Sequence, residues 1–133
     1  MTILYRDGPP VDPLQLQQLF AAVGARRSLE PAFLQAMVEG SRWVASAWEG
    51  TRLVGFARAV SDGVSNGYIN TVAVHPDYQR QGIGRTLIHQ LIDGREQVKF
   101  VLHTSVAGER LYRSLGFVDA TSMLVRPRAG ELP

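Results

Sequence analysis

Hydrophobic residues in the first third of the chain recur at helical spacing in two places. After the Asp12-Pro13 pair, which is typical of a helix start, apolar positions lie three or four residues apart as far as Gly24. A second run of this kind begins at Pro31 and ends at Gly40. A short run before them, residues 3–6, predicts a strand that ends at a turn rich in glycine and proline.

The rest of the chain is predicted to consist mainly of strands, turns and further helices. Apolar runs on either side of Glu49-Gly50 indicate a β-hairpin, and the nearly continuous apolar run at 98–104 is typical of a central strand covered on both faces. The expected elements are strands at 43–48, 53–61, 68–74 and 98–104, helices at 83–92 and 107–115, and a last strand or ribbon at 117 and 123–125.

This order of elements predicts an α/β (α+β) fold. The strand–helix–strand unit at 68–104 requires its two strands to lie side by side or nearly so, with a right-handed crossover. No internal repeat or long linker divides the chain. We therefore expect a single domain over residues 1–133, with a loose C-terminal tail at 127–133.

Composition narrows the class of protein. The chain has 133 residues, of which 45% are hydrophobic and 20% charged, as in one globular domain. No run approaches the ~20 apolar residues that a membrane span needs, and no signal peptide begins the sequence, so we expect a cytoplasmic protein with no membrane partner. The absence of cysteine excludes disulfides, a thiolate metal site and a cysteinyl acyl-enzyme, and we expect no metal cofactor.

The positive charge is concentrated in the second half of the chain. The net charge is +2; residues 67–133 contain eight basic and six acidic residues, whereas residues 1–66 contain six of each. Such a surplus suits a polyanionic ligand. No basic run is interleaved with aromatic residues, so nucleic-acid binding is not expected.

Residues 79–84, which we call the anion turn, connect a predicted strand to a predicted helix and contain Gly82 and Gly84. The first N–H groups of a helix have no intrahelical acceptor, and the helix dipole adds partial positive charge there. The glycines let a phosphate approach these N–H groups, and Arg80 and Arg85 add charge. The anion turn is therefore predicted to bind a pyrophosphate; a tight βα turn without a ligand is the alternative.

The spacing of the anion turn excludes two common phosphate-binding motifs. A dinucleotide fingerprint requires glycine or alanine three residues after Gly84, where this chain has Leu87. A Walker loop requires Gly-Lys-Ser/Thr, but the only lysine is Lys99. The remaining pattern, Gln-x-x-Gly-x-Gly at 79–84 after Val-x-Pro at 74–76, resembles the acetyl-coenzyme A signature of the GNAT superfamily of N-acetyltransferases.

A second stretch, residues 107–117, resembles a later helix of the same family, which ends in Tyr-x-x-x-Gly-Phe. Tyr112 occupies the tyrosine position, and Gly116 is placed to end the helix. The family often has asparagine and alanine where this chain has Ser105 and Gly108. Ser105 is expected to cap the helix, whereas the family's asparagine contact to the pantetheine arm is not carried over.

The resemblance implies a GNAT-type fold, with a mixed central sheet flanked by helices, and acetyl-CoA as cosubstrate. In that family the two strands of the strand–helix–strand unit splay apart, and the pantetheine arm fills the gap. The resemblance also implies that Tyr112 is the general acid near the coenzyme sulfur and that a backbone N–H of Val72 or Val74 donates to the thioester oxygen. The cofactor-binding residues expected from it are Val72, Ala73, Val74, Gln79, Arg80, Gln81, Gly82, Ile83, Gly84, Arg85, Thr86, Ser105 and Arg110.

The general base is not indicated clearly. Many members of the family carry a carboxylate on the strand at 68–74, where this chain has none. Asn70 is expected to orient a substrate or a water in the catalytic site, but an amide cannot accept a proton at neutral pH. His103, Asp62 and Glu30 are alternatives, as is a water that relays the proton, and His75 is expected to be a surface residue of the turn.

The predicted activity is transfer of acetyl from acetyl-CoA to the primary amine of a small molecule, by direct transfer in a ternary complex. One alternative is a non-catalytic CoA-binding or sensor domain, and another is acetylation of a protein or peptide N-terminus or lysine. The acceptor pocket is expected from residues 12–48 and 62–67, and a homodimer is left open. Aromatic residues that could line the pocket, if they are not part of the core, are Tyr5, Phe33, Trp43 and Trp48.

Overall fold

The computed structural model describes residues 2–25 and 29–131, and its chain divides into two compact units, one ending at His103 and one beginning at Thr104. The first contains β1 (Leu4–Asp7), α1 (Pro13–Ala22), α2 (Pro31–Glu39), β2 (Trp43–Glu49), β3 (Arg52–Ser61), β4 (Asn66–Val74), a 3₁₀ turn (Pro76–Tyr78), α3 (Ile83–Ile92) and β5 (Lys99–Leu102), and the second contains α4 (Val106–Ser114).

The strands form one mixed sheet in the order β1-β2-β3-β4-β5. Neighbouring strands among β1, β2, β3 and β4 are antiparallel, and β5 is parallel to β4. The predicted mixed sheet and the side-by-side strands of the strand–helix–strand unit are thus confirmed. Because β4 and β5 are parallel, α3 serves as the crossover between them.

The two faces of the sheet are covered by different helices. Leu16 on α1 and Leu34 on α2 are fully buried in a cluster with Phe56 of β3. The next residue along β3, Gly55, faces the opposite side, where a Cβ would lie 3.0 Å from the side chains of Ile83 and Leu87. The anion turn therefore leads into a helix that lies directly against the centre of the sheet.

Local sequence signals account for the helix starts. Asp12 caps α1 through its carboxylate, which accepts a hydrogen bond of 3.0 Å from the N–H of Leu14. Proline occupies the first helical position of both α1 and α2, where its fixed φ favours the helix and its missing N–H is no loss. The predicted starts of both helices are confirmed.

Two predictions about the last strands were wrong. The strand expected at 98–104 covers only Lys99–Leu102, and in the described part of the chain it pairs with β4 alone, so it is an edge strand rather than a central one. The ribbon expected at 117 and 123–125 is absent among residues 115–131 as described, and Leu124 is almost fully exposed. An apolar triplet without a neighbouring strand cannot satisfy its backbone hydrogen bonds as a sheet.

The C-terminal tail is mostly exposed where the structure describes it. Of the tail predicted at 127–133, residues 132–133 lie outside the described part, and residues 128–131 are exposed, with an ion pair between Arg128 and Glu131. None of the helices described here is long and apolar enough to cross a membrane. Among residues 2–25 and 29–131, no cluster of three or more potential metal-ligating side chains was found.

Candidate functional site

The anion turn has a backbone conformation that suits an anion. Arg80 has a φ of 64° although it is not a glycine, and Gly82 has a φ of 83° directly before α3. Left-handed residues at the start of a helix turn consecutive N–H groups toward one concavity. A Cβ on Gly82 would meet nothing within 4 Å, so the glycine is required by its φ and the space beside it is open.

Among the residues that the structure describes, no side chain caps the first turn of α3. Gly82 is the N-cap and has no side chain to accept from the first N–H groups, and the hydroxyl of Thr86 donates instead to the carbonyl of Gly82 at 3.0 Å. Orphan N–H groups with the positive end of the helix dipole behind them are the usual components of a phosphate site. Exposed side chains around this position belong to Arg80, Gln81 and Arg85.

Two side chains of the predicted cofactor site have structural partners. Gln79 donates its amide to the carbonyl of Val74 at 3.0 Å, which ties the anion turn to the end of β4. Ile83 is 2% exposed, and its side chain packs against β3 at Gly55. Gln79 and Ile83 would thus bind a ligand through their backbone groups. Gly84, which follows Ile83, is half-buried.

The edge of β4 that faces β5 is only partly paired. Pairing ends at Ile69 and Leu102, whereas β4 continues to Val74. For residues 70–74 the described part of the chain provides no strand on that side, so alternate N–H and C=O groups there are available to a ligand, apart from the carbonyl of Val74, which accepts from Gln79. Ala73 directs its side chain into the core, and Val72 and Val74 are half-buried.

Asn70 is the extra residue of a β-bulge in β4. Thr71 lies opposite Arg58 and Ile69 opposite Ala59, so the register with β3 skips Asn70. The bulge exposes Asn70 and turns Thr71 toward Arg58, whose Nε donates to the Thr71 hydroxyl at 3.2 Å. Bulges often re-aim a side chain beside a site, and this one directs the predicted catalytic asparagine to solvent.

The alternative bases differ in their surroundings. The ring of His103 is exposed and makes an edge contact with Tyr68 at 6.0 Å between centroids, beside the point where β4 and β5 stop pairing. Asp62 instead caps its own loop: hydrogen bonds from the Ser65 hydroxyl and from backbone N–H groups hold the pKa of its carboxyl well below the usual value of 3.8, which makes it a poor base. Glu30 is exposed at the start of α2.

The second unit contains the remaining predicted site residues. Ser105 caps α4 as expected, accepting from the N–H of Gly108 at 3.3 Å, and Gly116 ends the helical stretch with a φ of 94°. Tyr112 is half-buried against Phe117, at 5.7 Å between ring centroids, and burial raises the pKa of its hydroxyl. Tyr112 therefore keeps its proton at neutral pH, as a general acid must.

The second unit also exposes one predicted cofactor-binding cation. The side chain of Arg110 is exposed on α4. Its neighbour Arg113 is instead engaged with Glu109 at 2.7 Å and Asp119 at 2.6 Å.

The aromatic residues suggested for an acceptor pocket have different environments. Trp48 is a core residue, 5% exposed, and donates its indole N–H to the Ser46 hydroxyl at 2.8 Å. Trp43 lies between the ring of Phe100 and the guanidinium of Arg95. Half of Phe33 and about a third of Tyr5 are exposed.

One contact near the anion turn had no signal in the sequence. The hydroxyl of Tyr78 donates to Oε1 of Glu49 at 2.7 Å, across 29 positions of the chain. Tyr78 precedes the glycine motif directly, but nothing in its spacing pointed to a partner at the end of β2.

Comparisons with known proteins agree with this geometry. The model of the acetyltransferase (GNAT) domain matches residues 16–127. The histone acetyltransferase TAP1 of Glycine max is 37% identical over 130 residues, which cover 86% of this chain and 55% of that protein. The ribosomal protein bS18-alanine N-acetyltransferase of Escherichia coli K12 is 46% identical over 56 residues, 38% of each chain.

A solved structure extends the agreement to nearly the whole length. A GNAT-family acetyltransferase of Streptococcus pneumoniae TIGR4 has a TM-score of 0.76 and 28% identity, covering 96% of this chain and 99% of its own. The chain spans about half the length of the first curated relatives it matches. The family model covers well over half of the chain. On these grounds, together with the glycine turn that opens α3 beside a partly unpaired strand, the chain belongs to the GNAT acetyltransferase family.

Proposed function

We propose that this protein transfers the acetyl group of acetyl-CoA to a primary amine, with a small-molecule amine as the acceptor. The observation that carries the proposal is the juxtaposition of two backbone sites: the uncapped start of α3 at Gly82 and the unpaired edge of β4 at 70–74. The first suits the pyrophosphate of coenzyme A, and the second suits the amide groups of its pantetheine arm.

The chemistry assigned to individual residues follows from this binding mode. A backbone N–H of Val72 or Val74 would donate to the thioester oxygen as negative charge develops there. Tyr112 would protonate the leaving thiolate, since its raised pKa keeps the hydroxyl protonated. Asn70, which is exposed at the bulge, would orient the acceptor amine or a water. The chain has no cysteine that could form a cysteinyl acyl-enzyme, and this favours direct transfer of acetyl to the amine.

A protein amine is the second candidate acceptor. Two relatives carry names that refer to protein substrates, a histone and a ribosomal protein alanine. Since each of these proteins is longer than the matched region, their acceptors are carried over here only as candidates. A CoA-binding or sensor domain without turnover is the alternative from another class, favoured by the lack of a carboxylate on β4.

The proposal is tested by measuring thiol release from acetyl-CoA with a panel of acceptors. The panel contains small primary amines, peptides with a free N-terminus and peptides whose only amine is a lysine. We expect turnover with at least one small amine. Turnover with peptides alone would select the second candidate, and CoA binding without turnover on any acceptor would select the sensor domain.

A matched pair of variants tests the anion turn itself. Gly84→Val places a β-branched side chain at the predicted approach of the pyrophosphate, whereas Arg85→Ala removes one exposed charge. We expect Gly84→Val to weaken CoA binding more, because contacts of exposed charges are commonly worth about 1 kcal/mol or less. Valine is more favourable than glycine within a helix by about 0.3 kcal/mol, so helix propensity does not disfavour the variant, and thermal unfolding checks that the fold persists. Equal affinity of the wild type and Gly84→Val in calorimetry would contradict the assignment.

A further inference from the structure

We infer that Glu49 and Tyr78 are positioning residues for the coenzyme, because their hydrogen bond fixes the anion turn to the β2–β3 hairpin; this inference rests on the proposed function. Tyr78 is 6% exposed and ends the 3₁₀ turn that immediately precedes Gln79. Its hydroxyl donates to Oε1 of Glu49 at 2.7 Å. Glu49 is the last residue of β2.

A second set of contacts joins the same two segments. The guanidinium of Arg52, the first residue of β3, lies over the Tyr78 ring at 5.6 Å from its centroid. Its Nη2 is 3.2 Å from Nε2 of His75. The imidazole of His75 in turn meets the Tyr78 ring edge-on at 5.7 Å. The tyrosine ring is thereby held between the hairpin and the start of its own turn.

The hairpin that receives these contacts is itself fixed to α1. The side-chain oxygen of Gln15 accepts from the N–H of Leu53 at 2.7 Å, and its amide donates to the carbonyl of Thr51 at 2.8 Å. The backbone adds one further tie, from the N–H of His75 to the carbonyl of Val54 at 2.9 Å. A chain of hydrogen bonds therefore runs from α1 through the hairpin to the residue next to the anion turn.

This arrangement matters for binding because the anion turn holds a strained backbone. Arg80 is left-handed without being glycine, a conformation that persists only where its surroundings enforce it. Gln79, which lies between Tyr78 and Arg80, is fixed to Val74. Without the Glu49 contact, Tyr78 loses the hydrogen bond that holds its end of the turn. The N–H groups of the anion turn would then be less ordered before binding. The ligand would have to order them, and that cost would lower its affinity.

The experiment compares Tyr78→Phe, Glu49→Gln, Glu49→Ala and the double variant Tyr78→Phe/Glu49→Ala. Coenzyme A binding is measured by calorimetry, kinetics with acetyl-CoA gives kcat and KM, and thermal unfolding reports the fold. Glu96→Gln is the control, since Glu96 is an exposed glutamate in the turn after α3 and lies outside the segments expected to bind either substrate.

We expect Tyr78→Phe and Glu49→Ala each to raise the Kd of coenzyme A and the KM of acetyl-CoA by about threefold to tenfold. This is less than the full effect of losing a hydrogen bond to a charged group, because the contact acts on the ligand only through the anion turn. The kcat should change little, because the reacting atoms are elsewhere. Glu49→Gln keeps an acceptor oxygen and should retain most of the affinity. The double variant should bind no more weakly than either single variant, since both remove the same contact.

The outcomes separate this inference from the proposed function. If the wild type fails to bind coenzyme A, the proposed function itself is contradicted. If the wild type binds and Tyr78→Phe binds equally well, the inference alone is overturned, whether or not the variant unfolds at a lower temperature. A double variant whose loss equals the sum of the single losses would also overturn it, because the residues would then act independently.

Discussion

On α4, Gly108 and Tyr112 are so close that a Cβ built on the glycine would lie 3.2 Å from Cε2 of the tyrosine ring. The same Cβ would lie 3.0 Å from Oγ1 of Thr104. Glycine inside a helix is ordinarily less stable than alanine by about 0.5–1 kcal/mol. At this position the absence of a side chain leaves room for the ring of the predicted general acid.

We therefore expect Gly108→Ala to lower kcat by about tenfold, because a small displacement of a catalytic group reduces the rate steeply. The KM for acetyl-CoA and the melting temperature should change little, since alanine favours the helix while its Cβ crowds the ring. Kinetics in the wild-type and Tyr112→Phe backgrounds provide the check. A similar loss in the Tyr112→Phe background would mean that Gly108 acts through something other than the hydroxyl of Tyr112.

The hydroxyl of Tyr112 is the subject of a second prediction. Tyr112→Phe should lower kcat by about 100-fold, a typical contribution of general acid catalysis, with the KM for acetyl-CoA nearly unchanged. Because burial raises the pKa of Tyr112, the wild-type rate should not fall from loss of this proton until the pH exceeds the ordinary tyrosine value of about 10. An unchanged kcat, with chemistry shown to be rate-limiting, would leave Tyr112 a packing residue.

The parts of the fold that sequence predicted are those encoded by near neighbours. Asp12 caps α1 by accepting from the N–H two residues later, and Gly82, within the anion turn, is the N-cap of α3. Both are local signals, in which one residue type is strongly favoured by one backbone conformation. The resemblance to the GNAT family rested on such a local pattern and was confirmed by the family match over residues 16–127.

The features that sequence did not predict depend on distant partners. The bulge at Asn70 exists only in the register between β3 and β4, and the hydrogen bond between Tyr78 and Glu49 joins residues 29 positions apart. The run at 98–104 was interpreted as central because it is apolar, yet β5 has one neighbour in the described part of the chain. Hydrophobicity reports burial and not the number of adjacent strands.

A third prediction concerns the loop between β3 and β4. Oδ1 of Asp62 accepts from the N–H groups of Val64 and Ser65 at 2.8 Å each, and the other carboxylate oxygen accepts from the Ser65 hydroxyl. These bonds, that of the Ser65 hydroxyl foremost, lower the pKa of Asp62 below 3.8 in the folded protein. Its contribution to stability is therefore present above 3.8 and is lost as the pH falls through the folded value.

Urea unfolding of the wild type, Asp62→Ala and Asp62→Asn from about pH 7 down to about pH 2 tests this assignment. Asp62→Ala should be less stable than the wild type by a constant amount near neutral pH, and the difference should shrink below the unfolded pKa. Asp62→Asn keeps an acceptor oxygen and should lie between the two without that pH dependence. A wild-type advantage that stays constant throughout the acid range would show that the carboxylate charge is not what stabilises the loop.

The last prediction concerns the proton of the acceptor amine. β4 carries no carboxylate, and Asn70 at its bulge cannot accept a proton at neutral pH. The carboxylate of Asp62 accepts hydrogen bonds within its own loop, which lower its pKa. The only support for His103 as the base is its place beside the unpaired edge of β4, where its ring contacts that of Tyr68. We therefore expect kcat/KM to rise with pH toward the pKa of the amine itself, and to shift upward when a more basic amine is used. A histidine base would instead give an inflection that stays fixed between substrates. Profiles for two amines of different basicity, each repeated in His103→Gln, decide between them: a fixed inflection that disappears in the variant would identify His103 as the base.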